Sequence, residues 1–300
     1  MRSKQTVMMN QKMHNLTEEM NTLLANSIPN SNLGTDLEES MSYSLNAGGK
    51  RIRPVLLLLT LEMLEGDKSK GLATATALEM IHTYSLIHDD LPAMDDDDYR
   101  RGKLTNHKVY GEWKAILAGD ALLTKAFDLI ANDQSLNSDI KVRLLQRLSF
   151  ASGHLGMVGG QTLDMQSESQ QVNLTTLEQI HHAKTGALLK FAVMAAVDIA
   201  QPNENIASLL ETYSEHLGLM FQIKDDLLDI YGDEQKLGKA VGSDINNDKS
   251  TYVSLLGIEG AEEKLAQHKT EAYECLKQLS SEYDTQYLDA IVKLFSERES

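Results

Sequence analysis

Two acidic clusters carry the residue types and spacing that suggest chemistry. The first is His88-Asp89-Asp90-Leu91-Pro92-Ala93-Met94-Asp95-Asp96-Asp97-Asp98, and the second is Lys224-Asp225-Asp226-Leu227-Leu228-Asp229. On a helix turning about 100° per residue, Asp225 and Asp229 fall one turn apart on one face, and Gly218, Phe221 and Gln222 continue that stripe. Aligned carboxylates repel one another. The same helix offers Phe221, Ile223 and Leu227 to a core, so a compensating cation is expected beside the aspartates. A hard divalent ion suits an all-oxygen donor set, and magnesium keeps several waters and is commonly completed by substrate phosphates. The pattern therefore predicts a diphosphate bridged to both clusters by magnesium. An EF-hand is excluded by spacing, because Arg100 stands where the loop needs glycine and Asn106 where it needs glutamate. Asp97 and Asp98 read equally well as a solvated face.

Local reversals of sign accompany these clusters. Gly48-Gly49-Lys50-Arg51-Ile52-Arg53-Pro54 gathers three cations at a glycine-rich turn opening a helix, where backbone amides, the helix dipole and the side chains all favour an anion. Arg100-Arg101 follows the first acidic run directly, and guanidiniums bind phosphate oxygens in bidentate fashion. His88, His181 and His182 show no metal-ligand spacing. The residues thus predict two phosphorylated anions, one held through magnesium and one by Arg and Lys directly.

Helices must position these groups. Only 4 prolines and 19 glycines interrupt the 300 residues, aromatic residues make up 5%, and the apolar positions are dominated by Leu, Ala, Ile and Met, so the chain reads as all-α. Helical segments are predicted at about 36–46, 55–65, 70–91, 112–131, 138–152, 157–167, 174–184, 187–200, 205–231 and 250–256, with two more to finish the chain. No low-complexity linker divides them, which predicts one domain over residues 1–300. With 28 Lys+Arg against 44 Asp+Glu the formal charge is −16, the wrong sign for a nucleic-acid binder. The single cysteine, Cys275, precludes an internal disulfide. The N-terminal residues lack the apolar core of a signal peptide, and the longest apolar stretch, 55–64, is about half a membrane span. A soluble cytoplasmic protein is expected.

These motifs, in order, resemble the bacterial trans-prenyltransferase family, in particular its farnesyl-diphosphate-forming branch. The resemblance rests on GGKRIRP at 48–54, MIHTYSLIHDDLPAMDDDDYRRG at 80–102, ILAGDAL at 116–122, GGQTLDM at 159–165, KTGAL at 184–188, FQIKDDLLDIYGD at 221–233 and LGKAVGSDINNDKSTY at 237–252. It implies an isoprenoid synthase fold, an all-α bundle of core helices around a central cavity, and a homodimer. It also implies that Asp89, Asp90 and Asp95, with Asp225, Asp226 and Asp229, hold magnesium ions against an allylic diphosphate, dimethylallyl or geranyl, with about three ions per site once substrate is bound. Arg100, Lys184, Lys239 and Lys249 then add positive charge. Isopentenyl diphosphate would meet Gly49, Lys50, Arg53, His82 and Arg101 without metal.

The resemblance further implies ionisation of the allylic C–O bond, attack by the isopentenyl double bond and loss of a proton to the released diphosphate. Thr185, Gln222 and the carbonyl of Lys184 would flank the cation with neutral dipoles. Tyr84 and Ser85 lie about one helical turn before Asp89, roughly 5–6 Å along the axis. A growing chain anchored at the aspartates would run towards them, so Tyr84 is expected to floor the cavity at fifteen carbons, in agreement with the Pro92-Ala93 insertion. A geranylgeranyl or other-length synthase and a non-catalytic regulatory partner are the alternatives. A terpene cyclase usually mixes Asn, Ser and Glu at its second metal site, where three aspartates stand here, and an HD-type phosphohydrolase would leave the basic clusters unexplained. No local feature gives Arg298 a role.

Overall fold

The computed structural model describes residues 2–168, 170–231 and 250–298. Its helices are α1 (Arg2–Ala25), α2 (Leu37–Leu45), α3 (Ile52–Met63), α4 (Leu72–Asp89), α5 (Asn106–Tyr110), α6 (Glu112–Ala131), α7 (Ser138–Ser152), α8 (Met157–Gln166), α9 (Leu174–His181), α10 (Ala187–Ala200), α11 (Glu204–Tyr231), α12 (Tyr252–Leu279) and α13 (Gln286–Glu297). The all-α expectation holds, and α6, α7 and α10 coincide with the predicted segments. One two-stranded hairpin departs from it, pairing β1 (Tyr99–Arg100) with β2 (Lys103–Leu104). Arg101 and Gly102 make its turn with φ of 54° and 75°, the positive-φ pair that a two-residue hairpin loop requires.

The chain forms two compact units, one from residues 1–58 and 67–145 and the other from 59–66 and 146–300. Two of the three boundaries fall inside helices, α3 and α7, where no change of composition marks them.

In the first unit α4 packs mainly along α6. Almost every position of α4 from Thr74 to Ile81 is buried, and small residues face it from α6, where Ala115, Ala118 and Gly119 are buried. Gly119 has a specific reason to lack a side chain, since a Cβ there would fall 2.1 Å from the His88 Nε2. That nitrogen lies 3.0 Å from the carbonyl oxygen of Ile116, so His88 ties α4 to α6.

In the second unit α11 packs against α10 on one side and α12 on the other. Leu219, Ile223 and Leu227 of α11 meet Leu177, Tyr252 and Ala261 in one buried cluster. Removing such side chains from water contributes about 1.5–3 kcal/mol each. α10 is apolar apart from Lys190 and Asp198, and Asp198 is buried under Arg147 by bonds of 2.6 and 3.1 Å. Thr251 and Ser254 close a reciprocal capping box at the start of α12, and Gly257, with φ 72°, kinks the helix after the predicted 250–256 segment. Between α9 and α10 the predicted helix end at 184 is replaced by one π-helical turn, His182–Gly186, so the chain passes from one helix to the next without a loop. Among the described residues, no helix is long and apolar enough to cross a membrane.

Candidate active site

In the first unit the GGKRIRP turn is built on backbone that L side chains rarely adopt, with φ of 89° at Gly48, 128° at Gly49 and 49° at Arg51. Arg51 sustains that conformation through burial. It donates from Nη1 to Glu79 Oε1 at 2.8 Å, from Nε to Asn21 Oδ1 at 3.0 Å and from Nη2 to the Leu45 carbonyl at 2.6 Å. With its donors so engaged, Arg51 anchors the turn to α4. The Arg101 guanidinium packs on Gly49, where a Cβ would come within 2.6 Å of Cζ, and Arg101 Nη1 donates to the Gly48 carbonyl.

Arg53 Nη1 lies 3.3 Å from His82 Nε2. Burial, then the charges of Arg53, Arg101, Arg100 and Arg51, hold the His82 imidazole well below its ordinary pKa. A neutral ring facing a guanidinium accepts through Nε2, which places its proton on Nδ1. Burial also depresses Arg53 and Arg101, and each guanidinium repels the cations beside it. Arg53 Nε is buried without a hydrogen-bond partner. Three of the residues expected to meet isopentenyl diphosphate, Arg53, His82 and Arg101, therefore stand together as a cluster with surplus positive charge and an unused donor. Lys50 is exposed beside them.

The first aspartate motif sits where α4 ends. Asp89 is the last helical residue and Asp90 the C-cap, so two carboxylates occupy the end of the helix that favours cations. Pro92 stops the helix, and the chain reverses so that the Asp95 amide donates to the Asp89 carbonyl at 2.8 Å. The four residues between the pair and the third aspartate are what allow this return. Asp90 is buried and accepts from Arg100 Nε at 2.6 Å, with Arg100 Nη2 at 2.5 Å. Burial pushes the Asp90 carboxyl up against the pull of Arg100, and Asp97 and Asp95 add repulsion. Burial works against the charge on Arg100 too, but the bond to Asp90 and the charges of Asp90, Asp97 and Asp89 together outweigh it.

Oxygen-only donors and like-charge crowding fit a hard divalent ion. Among the described residues, the three-residue group whose donor atoms lie within 4.8 Å of one another is Asp96, Asp98 and His107, outside the predicted set. None of the six aspartates predicted to hold magnesium belongs to that group.

Tyr84 is buried one turn before His88, its ring 5.7 Å away in an edge-to-face contact, and burial together with Asp89 pushes its phenol up to about 12. The Ser85 hydroxyl donates to the His82 carbonyl of its own helix, leaving a small, partly exposed side chain beside Tyr84.

In the second unit the π turn is held by glycine on two sides. A Cβ on Gly160 of α8 would fall 2.2 Å from the Lys184 amide nitrogen, and one on Gly218 of α11 would fall 2.9 Å from Gly186 Cα. This close approach joins Lys184, Thr185 and Gln222. Lys184 Nζ meets Asp164 Oδ2 at 2.7 Å. Thr185 Oγ1 lies 3.4 Å from Gln222 Oε1, Gln222 Nε2 donates to Asp226 Oδ1 at 3.1 Å, and Asp226 Oδ2 accepts the Tyr252 amide at 2.8 Å. Asp226 and Asp229 are buried, whereas the Asp225 side chain is 36% exposed. Arg298, which follows α13, donates to Asp225 Oδ1 at 3.1 Å and to the Phe221 carbonyl at 2.9 Å, with its guanidinium 4.1 Å above the Phe221 ring.

Lys239 and Lys249 lie outside the described residues. Sequence reasoning missed Asp164 as the partner of Lys184, although GGQTLDM contains it, and gave no role to Arg298, whose contact depends on where α13 ends.

The model of one family, polyprenyl synthetase, matches residues 35–291. The farnesyl diphosphate synthase of Micrococcus luteus is 58% identical over 81% of this chain and 83% of its own, and that of Bacillus subtilis is 52% identical over 84% and 86%. A geranyltransferase from Helicobacter pylori, solved in complex with magnesium and isoprenyl diphosphate, superposes with a TM-score of 0.84 at 32% identity, covering 95% of this chain and 97% of that one. The fold is that of an isoprenyl synthase. The chain belongs to the polyprenyl synthetase family.

Proposed function

We propose that the protein is a trans-prenyltransferase that condenses isopentenyl diphosphate with dimethylallyl and geranyl diphosphate to give (2E,6E)-farnesyl diphosphate and diphosphate. Family membership and the farnesyl diphosphate synthases among its relatives support this reading. Within the molecule, the observation that carries it is the Arg53–His82–Arg101 cluster with its unused Arg53 donor, where the nearby Glu79 carboxylate is paired with Arg51.

Asp89, Asp90, Asp95, Asp225, Asp226 and Asp229 are the carboxylates assigned to magnesium, at about three ions per site, which when bound neutralise the allylic diphosphate and lower the barrier to its departure. Arg100 and Lys184, with Lys239 and Lys249, add charge against the same group. Lys50, Arg53, His82 and Arg101 receive isopentenyl diphosphate, and Gly49 keeps the turn open to it. As the allylic C–O bond breaks, the Lys184 carbonyl, Thr185 and Gln222 present neutral dipoles and no nucleophile. The isopentenyl double bond forms the new C–C bond, and the departing diphosphate takes the proton released from the isopentenyl unit. Water must be kept out while the cation persists.

The test is product analysis after incubation with isopentenyl and geranyl diphosphates, with and without magnesium. Magnesium-dependent farnesyl diphosphate is expected. Longer products would keep the chemistry and remove Tyr84 as the floor, and absence of product from folded protein would favour a non-catalytic partner.

Residues 1–300 are proposed to act as one catalytic domain in the cytoplasm, and as a homodimer. Val109, Trp113, Ile116 and Leu117 support the dimer, because they leave a run of large apolar side chains exposed on α5 and α6, with Trp113 at 64%.

A further inference from the structure

We propose that Asp226 is a positioning residue that decides which end of the Gln222 carboxamide faces the reacting carbon. The inference rests on Gln222 lying beside the allylic cation, as proposed above, and it takes Asp226 out of the magnesium set given there, because both of its oxygens already accept from protein donors. A carboxamide is ambiguous, since its oxygen accepts and its nitrogen donates, and the two ends have nearly the same shape. Thr185 does not resolve the ambiguity, because a hydroxyl 3.4 Å away can donate to the oxygen or accept from the nitrogen. Asp226 does. An ionised carboxylate only accepts, so its Oδ1, 3.1 Å away, takes Gln222 Nε2 and turns Oε1 towards Thr185.

Asp226 is itself prevented from turning. It is 3% exposed, and Oδ2 accepts the Tyr252 amide at 2.8 Å, a backbone donor fixed at the first turn of α12. The chain of fixed groups therefore runs from the α12 backbone through Asp226 to Gln222. It leaves the negative end of the amide dipole beside Thr185, the orientation a neighbouring cation needs.

Asp226→Asn tests this with little change of shape. The Tyr252 amide still demands an oxygen, so the substituted side chain must present its nitrogen to Gln222. The Gln222 carboxamide then reverses, and its nitrogen faces the cation. The expected result is a fall in kcat on the order of 100-fold, with KM for both substrates and the half-saturating magnesium concentration within about twofold of the parent. Thermal stabilisation by magnesium plus inorganic diphosphate should survive in Asp226→Asn and be lost in Asp225→Asn, which supplies the comparison for a metal ligand.

An Asp226→Asn enzyme with unaltered kcat would overturn the proposal. So would loss of the magnesium-diphosphate stabilisation matching that of Asp225→Asn, because Asp226 would then serve the metal first. Gln222→Ala separates this from the proposed function. If it leaves kcat unchanged while the parent enzyme makes farnesyl diphosphate, the role of Gln222 fails and takes the positioning proposal with it, but the activity stands.

Discussion

Arg51 and Arg53 are two positions apart in one basic run, yet only one has a donor to spare. Arg51 commits its guanidinium to Glu79, Asn21 and Leu45, whereas Arg53 Nε is buried without a partner. The run as a whole was legible in the sequence as a candidate anion site, because three cations in an acidic chain reverse the local sign. Which arginine is committed to protein partners depends on the distant Glu79 and was not legible. Gly49 shows the same limit, since its motif is visible but the guanidinium of Arg101 lying on it is not. Gly49→Ala forces both a strained φ and a displaced Arg101. The expected outcome is a KM for isopentenyl diphosphate raised at least about tenfold, with a stability loss of about 1–3 kcal/mol, measured by steady-state kinetics and thermal melts. At Tyr84 the expectation from sequence is sharper, because helical spacing alone sets it one turn from Asp89. Tyr84→Ala should give products of twenty carbons or more by mass spectrometry, and an unchanged farnesyl product would remove the floor.

Long helices were legible from scarce proline and apolar spacing, and α6, α7 and α10 needed no correction. The π turn at His182–Gly186 was not legible, because its geometry is imposed by Gly160 and Gly218 on other helices rather than by HAKTG itself. Gly160→Ala is expected to push the turn off α8, at a cost of about 1–3 kcal/mol, and to lower kcat more than tenfold by carrying Lys184 and Thr185 with it. A variant with parental melting and kinetics would show that the turn yields without consequence. The exposed face of α5 and α6 makes a separate prediction. If the chain is the proposed dimer, Trp113→Glu should shift it to monomer in analytical ultracentrifugation at micromolar concentration, since a charge replaces a large apolar side chain that is 64% exposed.

At the scale of the molecule, several histidines are held neutral by burial. His82 lies well below its ordinary value, His181 is pushed down to about 3 and His268 to about 4. The unfolded chain binds more protons than the folded one between these values and about 6.5, so stability is fully present above about 6.5 and falls as pH drops, by up to about 1.4 kcal/mol per pH unit for each histidine. Melting temperature should therefore decline from pH 7 to pH 5, and a flat profile would contradict the burial of these rings. None of this could be taken from composition, because a histidine in an apolar stretch carries no mark of its tautomer or neighbours. The two-unit organisation was equally silent, since α3 and α7 run unbroken across two of its three boundaries.

The hairpin at 99–104 gives consecutive arginines opposite errands, Arg100 to Asp90 and Arg101 to Gly48, because Arg100 is the last residue of its strand and Arg101, with φ 54°, begins the turn. On the proposed function, allylic and isopentenyl recognition would thereby share a single register. A substitution at either arginine disturbs one partner, but an insertion or deletion of one residue between Asp98 and Arg101 would exchange the two guanidiniums. Length variation, otherwise cheap in surface turns, is therefore expected to be excluded from this one, and a deep insertion–deletion scan should find it intolerant while the loops at 27–34 and 132–137 accept changes.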